Sequence, residues 1–296
     1  PQWTSADEYI HARMREIVRD VNRLFENYQF GEAGRQIYEF FWGEFADWYI
    51  ESAKLQLSQG GDRAFYTAWT LMRVLDKCLR LLHPFTPYVT EELWGHLKTS
   101  ANSKGNAYEA ENGWAEALII AQWPGSKKEE SWEKDAVSTF ISGTIEHTRA
   151  FRSLKTDLNI PVNQKVGGTI IADKETLPLI LAQKDFIASL AKVKDMEILG
   201  AIPDTEEYKN YSSTSIPSTG SIVFLKTEEI FSQEEMREKL LKDYEITNGH
   251  IKRLEGLLAS DFAKKAPPQV VEKEREKLDI YKQTAQKIKD QLDALR

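Results

Sequence analysis

Clustered cations are the residues with the clearest chemical prospects in this chain. Arg149, Arg152 and Lys155 recur every three residues, so on a helix they share one face. Such a row can contact phosphates, or it can pair with Glu146 and Asp157 nearby. A second set lies near the C-terminus: Lys264, Lys265, Lys273, Arg275, Lys277 and Lys282. From Ile246 to Arg296 there are 11 Lys/Arg against 8 Asp/Glu, a net of +3, where the whole chain carries −7. The chain is therefore no uniformly basic nucleic-acid binder, but a local basic tail on an acidic body can still meet a phosphate backbone. Glu272, Glu274 and Glu276 alternate with these cations, which is also the pattern of a solvated helix face.

Other chemistries find little support. The single cysteine, Cys78, can build neither an internal disulfide nor a multi-cysteine metal site, and its amphipathic surroundings read as those of a buried, inert thiol. His11, His96 and His147 lie in helical stretches as ordinary surface or boundary residues, and His83 reads as a corner residue. Gly167 and Gly168 lack the third glycine and following helix of a dinucleotide site. No catalytic or metal-ligating constellation is expected. No apolar run approaches the ~18 residues of a membrane span, and no signal segment opens the chain. A cytoplasmic location without a membrane partner is the expectation. Residue 1 is Pro rather than Met, a hint of a fragment.

The elements that must position these cations fall into three zones: 1–130, 131–230 and 231–296. All eight tryptophans lie between Trp3 and Trp132, giving the first zone a dense aromatic core. Ser5 with Glu8 reads as a capping box opening a helix whose apolar face runs Ile10, Met14, Ile17, Val21, Leu24. A turn around Gly31 leads to a second helix, and Asp62 can cap a third. Core packing is the reading for Trp48, Tyr49 and Trp69. In "LLHPFTPYVTEELW" the proline should push His83 out of the helical region. Thr86 and Pro87 then restart a helix that packs Leu93 and Trp94 backwards. "ALIIAQWPG" reads as a short strand or extended segment ending at Pro124, and one long helix should then run to Pro161.

In the second zone, "VGGTIIA", "MEIL" and "SIVFLK" read as strands around a helical run, with "PDTEEYKNYSSTSIPSTG" as a polar loop. In the third, heptad steps from Leu240 to Leu258 and from Val271 to Leu295 flank Pro267 and Pro268. They predict an antiparallel coiled-coil hairpin. The fold class expected is mainly α with a small α/β unit: a helical bundle, a small mixed domain and a C-terminal coiled-coil arm.

Specific stretches carry a resemblance. "YQFGEAGRQIYEFFWGEFADWYIESAK", "LHPFTPYVTEELW", "IIAQWP", "FRSLKTDLNIP" and "DFAKKAPPQVVEKEREKL" resemble the C-terminal part of class I aminoacyl-tRNA synthetases, most closely the valyl family. The helix corner alone is shared with the isoleucyl and leucyl families, whose equivalent region is one alternative. The terminal arm points to valine, and the zinc module that commonly ends isoleucyl enzymes cannot be built from one cysteine. The resemblance implies a tRNA-binding part of an enzyme that joins valine to tRNA(Val). ATP and Mg would serve the full-length enzyme, since the HIGH and KMSKS signatures are absent here. The expected partners are tRNA(Val) and the rest of the synthetase chain, with a monomeric state. The helical domain would bind the anticodon stem, with Arg149, Arg152 and Lys155 as candidates. The arm would rest on the tRNA elbow through Lys264, Lys265, Lys273, Arg275, Lys277 and Lys282. The competing alternative is a non-catalytic coiled-coil scaffold that binds a protein.

Overall fold

The computed structural model describes residues 3–103, 108–110, 113–201, 208, 211–226, 233–259 and 268–294. The chain divides into two compact units, residues 1–204 with 213–225, and residues 205–212 with 226–296. The expected zone 1–130 falls in the first unit, whereas the expected zone 131–230 is divided, with residues 205–212 and 226–230 in the second unit.

Helix α1 (Ser5–Glu26) starts one residue earlier than its sequence signal suggests. Thr4 is the cap, and Asp7 returns a hydrogen bond to its backbone, which makes the reciprocal box between these two residues. The face from Ile10 to Leu24 is buried as expected. Tyr28, in the left-handed region at φ 58°, turns the chain into α2 (Phe30–Phe40), so Gly31 lies inside that helix instead of forming the turn. The helix then widens to π-type turns over Phe41–Ile50 before α3 (Glu51–Ser58). Gly60 and Gly61, at φ 72° and 54°, reverse the chain into α4 (Gly61–Leu82), and Gly60 rather than Asp62 occupies the cap position.

At the corner, His83 keeps helical angles despite the following proline. Helix α5 (Pro87–Ala101) begins after Thr86 with Pro87 at its first position, but the Thr86 side chain makes no capping bond. Trp94 is buried against α4, whereas Leu93 stays 47% exposed. "ALIIAQWPG" contains a single 3-10 turn, Leu118–Ile120, not a strand. Helices α6 (Ser131–Phe140) and α7 (Glu146–Asp157) are joined through a π-type turn into the expected long rod.

Strands β1 (Val166–Ile171), β2 (Val193–Leu199), β3 (Ser212–Ile216) and β4 (Ser221–Leu225) form one sheet in the order β2-β1-β4-β3. Helices α8 (Leu177–Ala182) and α9 (Lys184–Ala191) cross over between the parallel β1 and β2, while β4 runs antiparallel to β1. The polar loop of the sequence reading thus hides an edge strand. Leu190 of α9 joins the same buried cluster as Ile10, Phe40 and Cys78, so the bundle core extends to the crossover helix of the α/β part.

The second unit holds α10 (Gln233–Ala259) and α11 (Pro268–Ala294). His250 stacks on Tyr281 at 5.0 Å, and Leu254, Val271 and Ala285 are buried. A 27-residue helix is ~40 Å long. The eight residues 260–267 cannot span that return distance at ~3.5 Å each, so the paired helices run antiparallel.

Candidate nucleic-acid interface

Buried ion networks brace the bundle that any surface contact depends on. Asp76 of α4 accepts hydrogen bonds from Arg80 Nε (2.9 Å), Trp94 Nε1 (2.7 Å) and the Tyr108 hydroxyl (2.7 Å). This fastens α5 and the following loop to α4. Glu91 reaches from α5 to accept from the backbone N–H groups of Leu118 (2.6 Å) and Ile119 (3.2 Å), which holds the 3-10 turn in place. Within the corner, Thr90 Oγ1 donates to the Thr86 carbonyl and lies 2.8 Å from His83 Nδ1. Glu44 takes a bidentate pair from Arg13 and a bond from Tyr9, which ties the π-type stretch to α1. Burial, reinforced by Glu44, pushes the Tyr9 hydroxyl pKa far up. Burial also pushes up the Cys78 thiol, which is buried and inert as its sequence context suggests.

The row on α7 divides. Arg149 is exposed and Arg152 half-buried, and both guanidinium groups lie over the Trp48 ring, at 5.7 and 5.5 Å. Arg152 also donates to the Leu190 carbonyl at 2.9 Å. Lys155 is 1% exposed, and its ammonium donates to the carbonyls of Gln164, Ala191 and Lys192 at 2.7–2.8 Å. Three of these four acceptors, Leu190, Ala191 and Lys192, are the orphan carbonyls at the end of α9, where a cation is favoured by both hydrogen bonding and the helix dipole. The acceptors are main-chain oxygens rather than Glu146 or Asp157. The expectation of three surface cations is corrected: two arginines stand at the surface, and Lys155 is an internal clamp.

The arm candidates are distributed differently. Lys264, Lys265 and the Lys273 side chain lie outside the described residues. Arg275 is exposed on α11. Lys277 pairs with Glu274 at 2.6 Å along that helix. Lys282 reaches Glu255 of α10 at 2.8 Å, and the hydrogen bond it donates to that carboxylate raises its pKa. Lys277 and Lys282 therefore remain accessible while sharing their charge with neighbouring acids. Among the described residues no cluster of His, Cys, Asp and Glu is placed to hold a metal ion, and no helix is long and apolar enough to cross a membrane.

A braced helix bundle with surface arginines, and a cation-bearing pair of helices, make this a mainly helical protein whose cations could meet phosphates. Residues 7–170, more than half of the chain, match the family model described as the anticodon-binding domain of tRNA ligase. The chain belongs to that family. Residues 233–296 match the model described as the valyl tRNA synthetase tRNA binding arm. Valine–tRNA ligase of Geobacillus kaustophilus (strain HTA426) is 30% identical over 296 residues, which covers 99% of this chain and 31% of that relative. The enzyme of Aquifex aeolicus (strain VF5) is 30% identical over 305 residues, with 98% and 24% covered. That of Bacillus subtilis (strain 168) is 30% identical over 279 residues, with 93% and 29% covered. The chain spans about a third or less of the length of the curated relatives it matches.

Proposed function

We propose that this chain is the tRNA-binding C-terminal part of an enzyme that attaches valine to tRNA(Val) using ATP and Mg, and that it supplies binding but not chemistry. The observation that carries this reading is the pair of family matches, one over the bundle and one over the hairpin, in the same order along one chain. In this reading α10 and α11 wind as a coiled-coil arm against the tRNA elbow, with Arg275, Lys277 and Lys282 joined by Lys264, Lys265 and Lys273. Arg149 and Arg152 face the anticodon stem from the bundle. The anticodon stem is double-helical, and proteins bind such RNA mainly through phosphates and shape. The site of action is the cytoplasm, and the working form is a monomer.

The test is a filter-binding titration of several purified tRNAs at a series of salt concentrations. Affinity should fall steeply with salt, because each neutralised phosphate releases counterions. Replacing Lys264, Lys265, Lys273 and Lys277 with Ala should weaken all tRNAs alike and flatten the salt slope, since phosphate contacts position RNA without reading its sequence. Unchanged affinity and slope would refute the arm's role. Preference for tRNA(Val) should rest on the bundle and survive the fourfold change.

A further inference from the structure

Two exposed runs of chain, residues 26–31 and 84–89, meet at one end of the bundle. Phe25 lies between them, with the Phe30 ring edge-on at 5.2 Å and the Phe85 ring edge-on at 6.0 Å. Tyr28 stands 6.2 Å from Phe30, and Tyr88 and Val89 follow in the first turn of α5. Tyr28 is 82% exposed, Tyr88 89%, Val89 62% and Phe30 46%. Large apolar groups that face water singly are ordinary, whereas a contiguous set marks an interaction site.

The corner holds this face in place. Phe85 packs so closely on α2 that a methyl on Gly34 would lie 3.1 Å from its ring. Thr90 Oγ1, bonded to the Thr86 carbonyl and 2.8 Å from His83 Nδ1, ties the turn together. Tyr28 keeps a left-handed backbone that a bulky side chain rarely adopts, and its ring gains no burial in return. Backbone strain of that kind collects at contact sites. The aromatic row between Trp3 and α4 differs, because its members engage one another. Trp3 stacks on His11 at 4.5 Å, Trp69 lies beyond His11 at 6.0 Å, and Arg73 covers Trp69 at 5.1 Å. Trp69, which the sequence assigns to the core, is half-buried in that row.

At ~200 Å² for a fully exposed ring, Tyr28, Phe30, Phe85 and Tyr88 leave about 500 Å² of aromatic surface open. That is most of the ~800 Å² that each partner buries in a standard protein–protein interface. The border is acidic: Glu26 precedes the Tyr28 turn, and Glu92 stands one turn beyond Tyr88. A phosphate backbone would meet those carboxylates, and a second copy docked symmetrically would bring two acidic borders together. A protein surface with an apolar centre and a basic rim meets neither cost. The chain spans about a third or less of the relatives it matches, so on the reading above the rest of the enzyme is tethered to this module at high effective concentration. We propose that the α4–α5 corner docks on the other part of the synthetase chain, setting Tyr28, Phe30, Phe85, Tyr88 and Val89 against an apolar patch rimmed by Lys or Arg. The proposal rests on the reading of the chain as the C-terminal part of that enzyme, and assigns the face by which the module is held.

The experiment compares this chain with the whole synthetase by hydroxyl-radical footprinting of tyrosines, read by mass spectrometry. In the chain alone, Tyr28 and Tyr88 should react as exposed side chains. In the whole enzyme without tRNA, both should be protected about tenfold, in step with a fall from 82% and 89% exposure to the burial of an interface core. Val89→Glu changes an exposed side chain and should leave the melting temperature of the chain alone unchanged, yet restore the reactivity of both tyrosines in the whole enzyme. Tyr88→Glu, read at Tyr28, repeats the test should that variant fail to fold. Protection that appears only when tRNA is added would overturn the proposal in favour of an RNA contact. Protection in the chain alone that grows with its concentration would overturn it in favour of a second copy. Unprotected tyrosines in a whole enzyme that charges tRNA with valine would overturn the docking face alone. A whole protein that charges no tRNA with valine would overturn the reading on which the proposal rests.

Discussion

Replacing Lys155 with Met keeps the apolar stem and deletes the ammonium that closes the end of α9. Three carbonyls lose a charged donor, at ~1.5–3 kcal/mol each, a gross loss of ~4.5–9 kcal/mol. Against that stands the burden of enclosing the charge. Burial, with Lys192 and Arg152 adding repulsion, holds the Lys155 pKa down at about 8 instead of 10.5. At 1.36 kcal/mol per pKa unit this offsets ~3.4 kcal/mol that Met does not incur. The difference spans ~1–5.5 kcal/mol, and with some rehydration of the freed carbonyls we expect a net destabilisation of ~3 kcal/mol. Urea unfolding at neutral pH, with the m-value fitted, measures it. Arg152→Met, which removes bonds to one carbonyl from a half-buried side chain, should cost clearly less. The folded Lys155→Met protein should bind tRNA as the wild type does, because that ammonium is spent internally. A loss of stability below ~0.5 kcal/mol, or a selective loss of RNA affinity, would refute the clamp.

At the helix corner, Leu81→Ala should cost ~2–5 kcal/mol, because Leu81 is fully buried, whereas Thr86→Ala should be near neutral in thermal unfolding, since its hydroxyl makes no capping bond to α5 and only a long one, 3.4 Å, to the Leu82 carbonyl. Gly168→Ala should destabilise by ~1–3 kcal/mol or more, because the added methyl would lie 2.7 Å from Phe151 Cε1 and 2.9 Å from Val193 Cγ1. His11 is held at about 4 by burial, with Arg73 and Lys77 lowering it and Asp7 opposing them. Between pH 4 and 6.5 the unfolded chain binds the extra proton, so stability should fall by up to ~3.4 kcal/mol as pH drops through that window, and His11→Gln should flatten the dependence.

Periodicity made most of the helices legible, because it depends only on which side chains face inward. The Ile10–Leu24 face, the α6–α7 rod and the paired helices all follow from spacing. Several of the misses depend on partners that local spacing does not show. "ALIIAQWPG" carries an apolar β-prone run, yet Glu91, 27 residues earlier, captures its N–H groups in a turn. Strand β3 looks like a polar loop because it lies at the sheet edge beside β4 alone. His83 stays helical because the corner's bond to Thr90 outweighs the local bias before proline. The α7 spacing correctly placed Arg149, Arg152 and Lys155 near one another, but nothing in a three-residue repeat reveals that α9 ends against the last of them. The Trp3–His11–Trp69 row joins α1 to α4 across some sixty residues of sequence, and no motif announces it.

The acidic balance of the chain bears on how it would hold RNA. At physiological salt, charges are felt over ~8 Å, so an RNA approaching the surface responds to the nearest patch and not to the total of −7. Much of the acid in the bundle is already matched: Glu44 holds Arg13, Glu133 holds Arg15 and Arg19, and Asp7 holds Arg63. Acid that remains unmatched repels phosphate, whereas surface cations attract it locally. Such a background removes competing orientations, which a uniformly basic surface would allow. An acidic body with a few cationic patches would therefore bind RNA less tightly overall but in fewer registers.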